Sequence, residues 1–204
     1  MNAVLSGCIC AAGIAVLELD SASIGPFLVS RPFVVGPLFG FALGKMWVGG
    51  MFGVIFEALT LNILPLGGCL TFSPTVAAGV SVWLTAGPFA IPGEASFLCG
   101  IGAGWIHARV ESHLRRRRGA AVGGVEKEIR AGGQSKLGLI LAQTLAIQAT
   151  CTWTVAAIFF VAGSFLPSLW SFIPSAAKYG MLTAFQASPW LAGGCVAGSL
   201  WGRA

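Results

Sequence analysis

Apolar runs cover most of the chain, and they do not alternate polar with apolar residues, so they read as helices and not as half-buried strands. The first run, from Ala3 to Leu19, predicts a helix. It stops at Asp20-Ser21-Ala22-Ser23, a cluster suited to a helix end or to the cap of the next helix. Residues 24–44 are also apolar but are broken by Pro26, Pro32, Pro37 and several glycines. A proline inside a helix removes a backbone hydrogen bond, so this segment reads as a re-entrant hairpin or a broken helix. Met46 to Leu64 predicts a cleaner helix, closed by Pro65 and Gly67-Gly68. Residues 74–106 form the next apolar block, which Gly87-Pro88 and Pro92-Gly93-Glu94 divide into two pieces with a turn between. His107 to Lys136 is charged and predicts a solvated amphipathic loop. Leu137 to Phe165 predicts a long helix, Pro167 to Ser175 a turn, and residues 176–201 a last helix split at Pro189 and Gly193-Gly194.

Composition turns these helices into a membrane expectation. The chain has 204 residues, 56% hydrophobic and only 9% charged, whereas a soluble domain carries about 25% charged residues. The expected fold is an all-α integral membrane protein, a polytopic bundle with Pro/Gly-broken or re-entrant segments and roughly five or six crossings. It forms one membrane domain over 1–204. Residues 1–106 are the N-terminal half, 107–136 a charged cytoplasmic loop, and 137–204 the C-terminal half. Each half pairs a broken apolar segment with a cleaner one, a weak parallel of the kind an inverted repeat would leave. Eight of the twelve basic residues lie between Arg109 and Lys136. That clustering makes the loop cytoplasmic by the positive-inside rule, so the net charge of +5 is no sign of nucleic acid. The expected location is the cell inner (plasma) membrane, multi-pass. Residues 3–17 lack a basic n-region and run into Glu18 and Asp20, so they read as a retained helix and not as a signal peptide. The six cysteines show no CxxC pair and no metal spacing, and read as small apolar residues.

Candidate chemistry gathers between residues 30 and 57. Arg31 and Glu57 are charges in a stretch otherwise fit for lipid, where an ionised side chain costs at least about 2.5–3.5 kcal/mol on insertion scales. Gly49, Gly53 and Glu57 are spaced by four and so share one helix face, with the small residues allowing a neighbouring helix to come close. Glu57 therefore faces protein. Its carboxylate suits the several hydroxyl donors of a sugar or polyol, or forms a buried lock with Arg31, and the two roles are compatible. Asp20 and Asn62 are weaker substrate-binding or gating candidates; Asp20 suits a cap and Asn62 a bond within the bundle. Gln143 and Gln148 suit a bridge between two helices. Lys45 reads as a boundary residue reaching the headgroups. His107 and His113, the only histidines, read as solvated loop residues. A phosphate-binding Gly-rich loop, GxSxG and HExxH are all absent, so no catalytic residue, metal or cofactor is assigned.

The order Gly25, Ser30-Arg31-Pro32, Val35-Gly36-Pro37, Gly40, Leu43-Gly44, Gly49, Gly53, Glu57 resembles the membrane subunit IIC of the mannose/fructose/sorbose class of the phosphoenolpyruvate-dependent sugar phosphotransferase system (PTS EIIC). The agreement extends over about thirty positions. The chain departs from that pattern at Lys45 and at Ser73 of Phe72-Ser73-Pro74, where the family carries acids, and family members are longer. The resemblance implies a sugar-translocating permease subunit that is no enzyme on its own. Its partners would be a IID membrane subunit, cytoplasmic IIA and IIB phosphocarriers, the sugar, membrane lipid and further copies in an oligomer. The sugar would bind near Glu57 and be phosphorylated by IIB. The departures favour a second reading, a degenerate IIC with an assembly or regulatory role. Size and helix number also fit a third, an unrelated small substrate-binding membrane transporter component.

Overall fold

The computed structural model of the chain describes residues 3–20, 28–61, 72–130 and 137–201. All regular structure among them is helical, in agreement with the expected all-α class: α1 (Ala3–Leu19), α2 (Pro32–Ala42), α3 (Met46–Thr60), α4 (Pro74–Ala86), α5 (Gly93–Arg130), α6 (Leu137–Gly163), α7 (Leu166–Phe172) and α8 (Ser175–Trp201).

The core is built around α4. Every residue from Thr75 to Leu84 is buried, and the helix packs against α1, α2, α3, α5 and α6. A helix apolar all round must be enclosed by others, and PTVAAGVSVWLTA has no charge to keep in water. Trp83 stacks on Phe160 of α6 with ring centroids 4.1 Å apart. On the other side, Phe56 of α3 and Phe97 of α5 lie 5.1 Å apart, and Phe97 meets Phe185 of α8 at 5.4 Å.

Glycines set how closely the helices approach. In the α2–α3 hairpin a Cβ on Gly40 would stand 2.9 Å from the Gly49 Cα, and one on Gly53 would stand 2.5 Å from the Pro32 carbonyl oxygen. Gly36 and Gly49 face each other's backbone more closely still. The expected small-residue face is thus the seam of two helices in backbone contact. Gly44 closes the hairpin with φ +71°. There the Lys45 N–H donates to the Gly40 carbonyl at 2.7 Å and the Gly44 N–H to the Phe41 carbonyl at 3.0 Å, the paired bonds of a left-handed helix end. The α4–α5 contact repeats the device, since a Cβ on Gly100 would stand 2.6 Å from the Ala77 carbonyl oxygen.

Several expectations need correction. The segment 24–44 contains a regular helix from Pro32 that keeps Pro37 inside it; residues 21–27 lie outside the described set. Pro32 is tolerated because it takes the first helical position, where its missing N–H has no intrahelical partner. The charged run 107–136 is not a loop as far as Arg130, because α5 continues through it as one 38-residue helix. Residues 176–201 are not split either: α8 passes Pro189 and Gly193-Gly194 unbroken. The turn expected over 167–175 holds the short helix α7. Element lengths do not repeat between the halves. Helices of 17, 11, 15 and 13 residues and the start of α5 fill the first, and two of 27 residues flank α7 in the second.

Candidate functional site

Charged and polar side chains from α1 to α6 converge around the start of α2 and α4. Asp20, just past α1, accepts the backbone N–H groups of Val29 (3.1 Å) and Ser30 (3.2 Å) at the approach to α2. This agrees with a capping role, and places a carboxylate beside the N-terminal, positive end of a helix. The same approach holds Leu28 at φ 66°, a left-handed conformation that a leucine adopts only when its surroundings impose it. Ser30 is buried, and its carbonyl accepts the Thr75 hydroxyl of α4 at 2.7 Å.

Arg31 precedes α2, and its Nη1 donates to Glu57 Oε1 of α3 at 2.9 Å. Residues 26 positions apart are brought together because Gly36, Gly40, Gly49 and Gly53 let the two helices run side by side. Arg31 is about half exposed (53%) and Glu57 mostly covered (20%), so the arginine reaches outward while the carboxylate stays against protein. Glu57 Oε2 is buried and has no hydrogen-bond partner among the described residues. The site thus offers a carboxylate oxygen already desolvated and one neighbouring cation partly open to solvent. Asn62 lies outside the described residues. Pro32 is buried, Pro37 partly so, and both serve α2 and not the ligand side.

The two positions where acids were expected by resemblance have structural partners. Lys45 is exposed and does not simply reach outward: its Nζ donates to the Thr85 carbonyl at 3.4 Å, near the end of α4. Cations suit that end of a helix. Ser73 precedes Pro74 in the cap position of α4 but makes no side-chain cap bond. Its hydroxyl donates instead to Glu18 Oε1 of α1 at 2.9 Å. Its N–H donates to the Gly104 carbonyl of α5 at 3.1 Å, an approach that a Cβ on Gly104 would block at 2.6 Å from the Ser73 carbonyl oxygen.

Sequence reasoning missed a second polar row, which begins at Glu18. His107 was expected in solvent and is instead 1% exposed. Its Nε2 lies 2.9 Å from Thr152 Oγ1 of α6, and its Nδ1 lies 3.8 Å from Glu18 Oε1. One turn along α5, the buried Glu111 accepts Arg115 Nε at 2.8 Å, with Arg118 Nη1 3.8 Å away. Arg118 also donates to Gln148 Oε1, so Gln148 does bridge α6 to α5. The spacing His107, Glu111, Arg115, Arg118 is four, four, three, which is one face of a helix. That period was the available signal, and the charge density of the segment concealed it.

Glu18, His107 and Thr152 stand in the order carboxylate, imidazole, hydroxyl that hydrolases use. Thr152 is fully buried, and its hydroxyl also reaches the Gln148 carbonyl at 3.1 Å. A carbonyl substrate cannot approach it, so the row is no nucleophile. Among the described residues no group of His, Cys, Asp and Glu side chains forms a metal site. Cys10 is buried, and Cys8, Cys99, Cys151 and Cys195 are partly buried. In comparison with known proteins, no family model, no curated protein and no solved structure matches the chain.

Proposed function

We propose that the chain is a polytopic membrane subunit that translocates a sugar, IIC-like in kind, with the hexose bound at the Arg31–Glu57 pair. The observation that carries this reading is the pair itself: a desolvated carboxylate oxygen without a partner among the described residues beside an arginine still half open. Sugar hydroxyls donate to a carboxylate and accept from a guanidinium, so one ligand can engage both. At about 1.5 Å per residue, α2 and α3 extend only about 16 and 22 Å. A bilayer core is about 30 Å thick, so the hairpin reaches part way through it.

The outer surface supports the membrane setting. Trp47 (92% exposed), Phe172 (84%), Trp190 (83%) and Phe41 (73%) stand outward on four different helices, as side chains that meet lipid would. Gly138–Gly163 is long and apolar enough to cross a membrane, and the helices Leu5–Leu19, Pro32–Ala42, Met46–Thr60 and Pro74–Ala86 are apolar but shorter.

A specific observation favours the assembly reading as second. Lys45 and Ser73, the two departures from the IIC pattern, are engaged in holding α3 to α4 and α1 to α4, so both serve the bundle and not a ligand. Reconstitution in vesicles with a IID-type subunit and the soluble phosphocarriers separates the two. Phosphoenolpyruvate-dependent uptake of labelled hexose that needs this chain supports translocation. Stable assembly without uptake supports the assembly role, and failure to associate at all removes both.

A further inference from the structure

The row Glu18–His107–Thr152 is not used by the sugar reading, yet it is deeply buried. Relative exposure is 3% at Glu18, 1% at His107 and 0% at Thr152. Burying an imidazole and a carboxylate without hydrogen bonds is costly, and here His107 Nδ1, 3.8 Å from Glu18 Oε1, has no hydrogen-bond partner among the described residues.

Two hydrogen arrangements fit the contacts of the Thr152 hydroxyl. In the first, the Thr152 hydroxyl donates to His107 Nε2 (2.9 Å). The neutral imidazole then carries its hydrogen on Nδ1, facing the Glu18 carboxylate at 3.8 Å. In the second, the Thr152 hydroxyl turns to the Gln148 carbonyl, 3.1 Å away in the preceding turn. Nε2 must then carry a hydrogen to donate to the threonine oxygen. If Nδ1 also carries a hydrogen toward the Glu18 carboxylate, the ring holds two hydrogens and a positive charge. The arrangements differ by one proton and one hydroxyl rotation, with every heavy atom in place.

We propose that this row is a proton-binding site inside the bundle. His107 takes one proton from the medium at Nε2, and the Thr152 hydroxyl rotates from His107 to the Gln148 carbonyl as it does so. Glu18 supplies the counter-charge, held by the Ser73 hydroxyl. Among the described residues, the further charge that acts on Glu18 is Glu111, paired with Arg115 and Arg118 on α5. The two arginines balance Glu111 and leave Glu18 for the histidine. The facing residues of α6, Thr152 and Gln148, are uncharged, as are Ser73 and Thr75 on the α4 side. A histidine suits the task because its charge changes between about pH 5 and 8. The site joins α1, α5 and α6, so uptake of the proton strengthens the attraction between α1 and α5.

The chain has two histidines, which makes the test direct. Protein labelled with 15N-histidine is placed in lipid bilayers and its imidazole nitrogens are followed between about pH 8 and about pH 5. The exposed His113 serves as the internal reference. The expected result is that His107 passes from a single N–H on Nδ1 to both nitrogens protonated. Glu18→Gln, which keeps shape and removes the counter-charge, should lose the doubly protonated form over the same range. A His107 signal that stays in one state while His113 responds would overturn the proposal, and the unaltered protein alone decides this. An unchanged response in Glu18→Gln would overturn it equally. Either failure leaves the sugar reading standing, since that reading rests on Arg31 and Glu57.

Discussion

At the scale of single residues, the glycines and the two charges do separate jobs. Gly49 has the Gly36 backbone where its Cβ would be, whereas Gly50, its neighbour, has nothing within 4 Å. Gly49→Ala is therefore expected to lower stability in detergent by about 1–3 kcal/mol, the usual range for overpacking, while Gly50→Ala leaves it unchanged or slightly raised. Thermal unfolding of the two variants side by side checks this. The Arg31–Glu57 bond differs in kind. With Arg31 half exposed, its structural worth should stay within about 0.2–1 kcal/mol, measured as the coupling energy in a double-mutant cycle of Arg31→Gln and Glu57→Gln. A coupling well above that range would make the pair a lock first. The glycine stripe and the Glu57 face were legible in the sequence because a spacing of four carries its own geometry. The burial of His107 was not, because its partners Glu18 and Thr152 lie 89 and 45 positions away and only the fold brings them together.

At the scale of elements, patterns made by the chain locally were readable, and those decided by neighbours were not. α1, α3, α4 and α6 follow from uninterrupted apolar runs with clear ends. α5 beyond His107 looked like a loop because Arg115–Arg118 and the glycines that follow dominate its composition. Its face of His107, Glu111 and Arg115 is in fact bonded to α1 and to its own turns, with Arg118 bonded to α6. Arg116 is exposed on that helix, so the expected effect of Arg116→Pro is a loss of about 3 kcal/mol or more, the cost of a proline in a helix interior. Amide exchange across residues 107–118 should rise with it. A variant as stable as its parent would mean that the segment is not helical in the folded protein. α8 failed the opposite way. Pro189 and the glycines after it argued for a break, but the helix carries on past them.

At the scale of the whole molecule, an axial buried helix, a glycine-seamed hairpin and an apolar exterior make one account. The sequence carried the helical class and the charged pair in full view, while the convergence of α1, α2, α4 and α5 on Ser30, Ser73 and Thr75 depends on packing that no local pattern records. If the exterior faces lipid, the chain should stay with the membrane fraction through an alkaline wash that strips peripheral proteins; release into the supernatant would remove the membrane setting. The most direct measurement is phosphoenolpyruvate-dependent uptake of labelled hexose by vesicles carrying the assembled complex, with wild-type chain and with Glu57→Gln. The account predicts that Glu57→Gln assembles normally and loses at least about tenfold in uptake, the equivalent of one lost charge-assisted hydrogen bond of about 1.4 kcal/mol or more. Uptake equal to wild type in a normally assembled Glu57→Gln complex would contradict it.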